Sequence, residues 1–298
     1  MSTNQTSANV NWLRDLRNFI NKNDFELLPL FDIYAEEAIY GRAFIETDLA
    51  SLSQNSKIIE IGAGSLLLSC QLVHEGFDIV ALEPIGDGFS HFSRMQKLIG
   101  HHAEKYDYMP TMINVTAEAL DRNSCFDYAF SINVMEHVND VYRCLHAIGM
   151  SLKPMGIYRF TCPNYTFPYE PHFNIPTLLT KEITGKIFHE QIFDSVRVPD
   201  PVGTWNSLNW ISVSSIRRFL RQQSDLKGTF NASLLVSTFE RVLSDSAFAK
   251  RRSKWVTSII ITIVKLRLHH LLRFVPVSLQ PIMDCRITKI NKVLEVRR

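Results

Sequence analysis

Lys57-Ile-Ile-Glu60-Ile-Gly62-Ala-Gly64-Ser-Leu-Leu-Leu-Ser69, followed by Phe77-Asp-Ile-Val-Ala-Leu-Glu83-Pro84, reads as strand, tight glycine turn, helix, second strand and acidic strand end. Ile58, Ile59 and Ile61 make a short β-branched run of the kind buried in parallel sheets. Gly62 and Gly64 follow at once; lacking Cβ, they permit positive φ and let a ligand approach bare backbone. Residues 66–74 carry a helical apolar face, and 77–82 form the second strand. Glu83 ends that strand, on the edge where open parallel sheets bind ligands. A carboxylate roughly 20 residues beyond the glycine turn is placed to take both hydroxyls of a ribose. The unit implies a nucleoside-containing cofactor.

Two cofactors are compatible with such a unit. A nicotinamide dinucleotide calls for G-x-G-x-x-G, but Leu67 stands at the third glycine. Glu60, two residues before Gly62, would repel a diphosphate, whereas it suits the cationic α-amino group of S-adenosyl-L-methionine. The chain also lacks any Tyr-x-x-x-Lys, the usual proton donor of short-chain reductases.

Further along come Phe126-Asp127, Asn133-Val-Met-Glu136-His137-Val138 and Leu152-Lys-Pro-Met-Gly156. Together with Glu60-Ile-Gly62-Ala-Gly64 and Leu82-Glu83-Pro84, these residues resemble the class I S-adenosylmethionine-dependent methyltransferases of small-molecule type, over about 56–163. Leu66 departs from the pattern, standing where that family usually has a further glycine. The resemblance implies an α/β, Rossmann-like, doubly wound and mostly parallel seven-stranded sheet with helices on both faces. It implies a methyltransferase with S-adenosyl-L-methionine as cofactor. The cofactor residues would be Glu60, Gly62, Ala63, Gly64, Glu83 and Pro84, with Thr116, Ala117 and Glu118 holding the adenine and Asn133 at the end of the fourth strand.

The whole chain is consistent with this. At 298 residues it holds one domain plus additions, or two small domains, and a hydrophobic share of 46% supplies an ordinary core. A net charge of +2 gives no argument for nucleic acid as a partner. Five cysteines without a CxxC pair fit reduced cytoplasmic thiols. The polar N-terminus does not resemble a signal peptide, and no apolar run approaches the ~20 residues of a membrane span.

In chain order, 1–8 are expected to be disordered and 9–53 to form N-terminal helices, the second broken at Gly41. The Rossmann-like core covers 54–163. A third strand is expected over 109–115, a fourth over 126–132 and a fifth over 157–161, with Asp127 structural. His137 is a candidate acid–base group with Glu136, or else a cap for the helix that follows over 139–152. No acidic cluster with metal-ligand spacing follows the fourth strand, so no metal is expected.

Residues 164–245 form a lid and the remainder of the sheet. The stretch 162–210, rich in proline and aromatic residues, lacks helix or strand periodicity, and long loops beside a site are usually lids. His172 is the first candidate for general base, with Glu170 to orient it; Asn164, Tyr165 and His172 are candidate acceptor contacts. Ser212 caps a helix running to about Gln223, and 229–243 could supply a last antiparallel hairpin. The tail, 246–298, reads as basic and amphipathic, suited to an anionic membrane surface, the chain's own domain or a second subunit. The acceptor is expected to be a small molecule such as a sugar or quinone, methylated on oxygen or carbon in the cytoplasm or at the inner membrane surface. A nicotinamide-dependent oxidoreductase and a non-catalytic module remain as alternatives.

Overall fold

The computed structural model describes residues 3–84, 90–196, 198–250 and 254–291. Seven strands follow the order β3-β2-β1-β4-β5-β7-β6. The chain divides into two compact units, one running to Ala117 and including Cys125–Phe130, the other comprising Glu118–Ser124 and the chain from Ser131.

The first unit opens with helix α1 (Thr3–Asn23) and helix α2 (Leu28–Leu49). Helix α1 begins inside the segment expected to be disordered, which holds no proline or glycine to stop it. Leu13, Leu16 and Ile20 bury one face of it. Helix α2 runs unbroken through Gly41, which is buried. Strand β1 (Lys57–Ile61), helix α3 (Leu67–His74), strand β2 (Asp78–Leu82), helix α4 (Ser90–Lys105), strand β3 (Thr111–Ile113) and strand β4 (Phe126–Ile132) then alternate. Strand β1 pairs in parallel with β2 and β4, and β2 with β3. Ile58, Ile59, Ile61, Tyr128 and Phe130 are fully buried, each apolar side chain contributing about 2 kcal/mol. Asp127 is structural as expected, its Oδ2 accepting from the Lys57 amide at 2.8 Å. The turn at 86–88 lies outside the described residues.

In the second unit, helix α5 (Val141–Ser151) leads straight into strand β5 (Leu152–Pro163), longer than the expected 157–161, and strand β7 (Ile282–Lys289) pairs antiparallel with it along 157–163. The 162–210 stretch contains three short helices, α6 (Lys181–Ile187), α7 (His189–Phe193) and α8 (Pro201–Ser207). Helix α9 (Val213–Gln222) carries the expected Ser212 cap, in a capping box with Ser215. Strand β6 (Leu226–Phe230) pairs antiparallel with β7.

The hairpin expected over 229–243 is not formed. Residues Leu234–Ser244 are helix α10, burying Leu234, Leu235 and Val242 on one helical face. Helices α11 (Ser246–Lys250) and α12 (Lys254–Lys265) follow. The last strand comes instead from the tail, through residues Ile282–Lys289, so this part of the tail belongs to the sheet. Arg159 on β5 and Asp284 on β7 form a two-pronged ion pair at 3.0 and 2.7 Å, with Asp284 2% exposed. Among the described residues no single helix is long and apolar enough to cross a membrane; α12 and the turn Leu268–Phe274 pass together, bent by 93°. The basic run 250–254 lies partly outside the described residues.

Candidate active site

In the first unit, the chain leaves β1 through a loop of three left-handed residues. Gly62, Gly64 and Leu66 have φ of 71°, 50° and 69°. Amides of Gly62 and Ala63 both donate to the Leu82 carbonyl, at 2.8 and 3.1 Å, which ties the loop to the end of β2. Glu83 follows on that strand end. Its Oε2 accepts from the Gly64 amide at 2.8 Å, and burial raises its pKa against the opposing effect of that hydrogen bond. Glu60 is buried, and Ser69 Oγ donates to its Oε2 at 2.5 Å. Burial above all, with the nearby Glu83 charge, pushes its pKa up to about 8 despite that bond. A buried carboxyl kept largely protonated in this way ionises when a cation arrives. The set thus fits a nucleoside with its ribose on Glu83 and a cationic group facing Glu60. Gln96 was not singled out from sequence; its side-chain amide donates to the Gly64 carbonyl and steadies the loop from α4.

The other cofactor candidates divide. Pro84 and Thr116 are exposed, and Ala117 is buried at the start of a 3-10 turn. Glu118 is committed to structure: its Oε1 accepts from the amides of Asn139 and Asp140 at 2.7 and 3.1 Å, just before α5. Asn133 is exposed and left-handed at φ 54°, its amide donating to the Thr161 carbonyl at 2.8 Å.

In the second unit, the loop after β4 and the loop after β5 bring Glu136, His137 and His172 together, with one ligand-type atom from each within 4.8 Å of the others. His172 Nδ1 lies 2.6 Å from Glu170 Oε1, and Glu170 is fully buried. Glu170 also accepts from the Tyr165 hydroxyl at 3.2 Å and the Phe173 amide at 2.8 Å. The expected orienting pair is therefore present, built by a tight turn in which Glu170 and Ile175 exchange backbone hydrogen bonds. His137 does not cap α5; Asp140 does, accepting from Tyr142 and Arg143 amides. Instead His137 Nδ1 meets Ser207 Oγ of α8 at 2.8 Å, and its ring lies edge-on to His172 with centroids 5.2 Å apart. Burial, and then the charges of His172 and Lys181, lower its pKa to about 3, so it is neutral.

Glu136, named from sequence only as a partner for His137, is the most unusual member. It is fully buried, and neither carboxylate oxygen has a hydrogen-bond partner among the described residues. Burial pushes its pKa up to about 7; the His172 charge and then its own backbone amide lower it, and the Glu170 charge raises it. Tyr165 lines this region, its ring stacked on Trp210 at 5.7 Å between centroids. Asn164 is a correction. It is 1% exposed, its amide nitrogen donating to the Ser278 and Gln280 carbonyls at 3.1 and 2.8 Å, and its oxygen accepting from Thr166 and Val213 amides. Its polar atoms hold backbone and are not presented to an acceptor.

A family described as a methyltransferase domain matches residues 59–160. The uncharacterized protein Rv1509 of Mycobacterium tuberculosis is 42% identical over 278 residues, covering 93% of this chain and 94% of that one. A ubiquinone biosynthesis O-methyltransferase of Rhodopseudomonas palustris is 31% identical over 101 residues, 34% of this chain and 37% of its own length. Among solved structures, phosphoethanolamine N-methyltransferase 2 of Haemonchus contortus in complex with S-adenosyl-L-methionine is 15% identical with a TM-score of 0.49, over 93% of this chain and 60% of that chain. Residues 59–160 therefore belong to the methyltransferase domain family of the class I S-adenosylmethionine-dependent kind, and S-adenosylmethionine is the cofactor that family uses.

Proposed function

We propose that the protein transfers the methyl group to a hydroxyl oxygen of a small, ring-bearing acceptor. The observation that carries this reading is the cluster of buried Glu136 with half-buried His137 and His172, backed by Glu170. When bound, the sulfonium supplies an electrophilic methyl carbon. The chain must hold an acceptor oxygen in line with it and provide a destination for the hydroxyl proton. A cluster that pairs carboxylates with imidazoles, with His172 backed by Glu170, offers that proton a destination. The stacked Tyr165 and Trp210 rings suit a flat acceptor. Glu60, Gly62, Ala63, Gly64 and Glu83 are the residues we assign to the cofactor. The partial similarity to ubiquinone biosynthesis O-methyltransferases favours oxygen over carbon.

The test incubates the protein and S-adenosylmethionine with hydroxylated aromatic rings, quinols and sugars, each beside its O-methyl ether. The expected result is S-adenosylhomocysteine formed only with free hydroxyls, and an ether as the product. Methylation confined to amines or to ring carbons would contradict the reading.

A further inference from the structure

We propose that Glu136, His137 and His172 hold a divalent cation. Three facts point to it. First, the three side chains come from two loops 35 residues apart in sequence, yet their ligand-type atoms gather within 4.8 Å. Ligands of a cation bound at about 2.1 Å stand roughly 3.0–3.5 Å from one another, so a shift of about an ångström closes the set. Second, each imidazole is already anchored through Nδ1, His172 by the Glu170 carboxylate at 2.6 Å and His137 by Ser207 at 2.8 Å. A metal-bound histidine is typically oriented in this way, which assigns Nε2 to the cation. Third, Glu136 presents two buried oxygens with no hydrogen-bond partner. Such a group calls for an ion or a water. Protonating it does not remove the problem, because the acid then carries an unpaired buried O–H.

Two imidazoles and one carboxylate suit Fe, Mn, Co or Zn in the divalent state, and such sets leave positions open. An acceptor hydroxyl bound at an open position would lose its proton more easily. That role rests on the methyltransferase reading of the same cluster; the binding itself does not.

The test titrates Co²⁺ and, separately, S-adenosylhomocysteine into chelator-treated full-length protein. The expected result is one Co²⁺ per chain with visible ligand-field absorption. Binding should weaken at least tenfold in Glu136→Gln and in His172→Ala, and roughly 10–100-fold in Glu170→Gln, which removes only the support for His172. His270→Ala, in the separate group of Glu240, His269 and His270, should leave binding unchanged. S-adenosylhomocysteine binding by each variant checks that it has folded. No stoichiometric Co²⁺ binding, or binding indifferent to the first three variants, would overturn the proposal. If S-adenosylhomocysteine binds and Co²⁺ does not, the metal site falls and the methyltransferase reading stands; the reverse pattern separates the two failures the other way.

Discussion

Glu60 is asked to be neutral without ligand and charged with it. Its folded pKa of about 8 lies above the ordinary 4.5, so the folded chain binds a proton that the unfolded chain releases between those values. Ligand-free stability should therefore fall as pH rises from about 4.5 to about 8, by at most about 3 kcal/mol at pH 7. Glu60→Gln should flatten that slope, raise ligand-free stability at pH 7.5 and weaken cofactor binding. Denaturant unfolding across this pH range measures it, and equal slopes in the two proteins would refute it. Leu66 raises a contest of two effects. Its left-handed φ of 69° costs about 1–2 kcal/mol that glycine would relieve, but its side chain is 2% exposed and removing it costs about 2–5. Burial wins, so Leu66→Gly should lower stability by about 1–3 kcal/mol in chemical denaturation; a stabilised variant would mean the conformational cost dominates. The residues of the glycine loop and of Glu83 were legible because their partners are close in sequence. Asn164 was not, since its partners lie 114 and 116 positions away, and neither was the cluster at Glu136.

At the level of elements, periodicity recovered β1, β2, β4 and α9, each of which follows from a local pattern and a cap or turn, and it found α2 apart from the break expected at Gly41. It failed after Phe230. Residues 229–243 mix β-branched and polar positions, and the helical face of Leu234, Leu235 and Val242 emerges only against its packing partners. The tail hid β7 because a composition rich in basic and apolar residues describes the helix before it and says nothing of pairing. Strand β7 lies between β5 and β6 and carries buried Met283, Asp284, Cys285 and Ile287. Lys289 also donates to the Met150 and Leu152 carbonyls at the end of α5, at 3.1 and 2.9 Å. Asp284→Ala takes this buried carboxylate from the half-buried Arg159 and should lower the melting temperature. Ending the chain before Ile282 should leave the second unit unfolded. A truncated protein with native circular dichroism and unchanged melting would contradict the place given to β7.

For the molecule as a whole, chemistry is divided between two compact units. The glycine loop, Glu60 and Glu83 belong to the first; Glu136, His137, Glu170 and His172 belong to the second. Sequence made the first half readable as a contiguous βαβ signature. The second half is assembled from residues far apart in the chain, and its metal-ligand character had no spacing to betray it. The central claim is that S-adenosylmethionine is held through Glu83 and the loop at Gly62 and Gly64. The direct measurement is calorimetric titration with S-adenosylhomocysteine of the wild type and of Glu83→Ala, with NADH as the competitor nucleotide. Loss of charge-assisted hydrogen bonds to a ribose is worth roughly a 10–100-fold drop in affinity. The account predicts binding of S-adenosylhomocysteine that weakens by that factor in the variant, and no binding of NADH. Binding of NADH in its place, or S-adenosylhomocysteine affinity unchanged by Glu83→Ala, would contradict it.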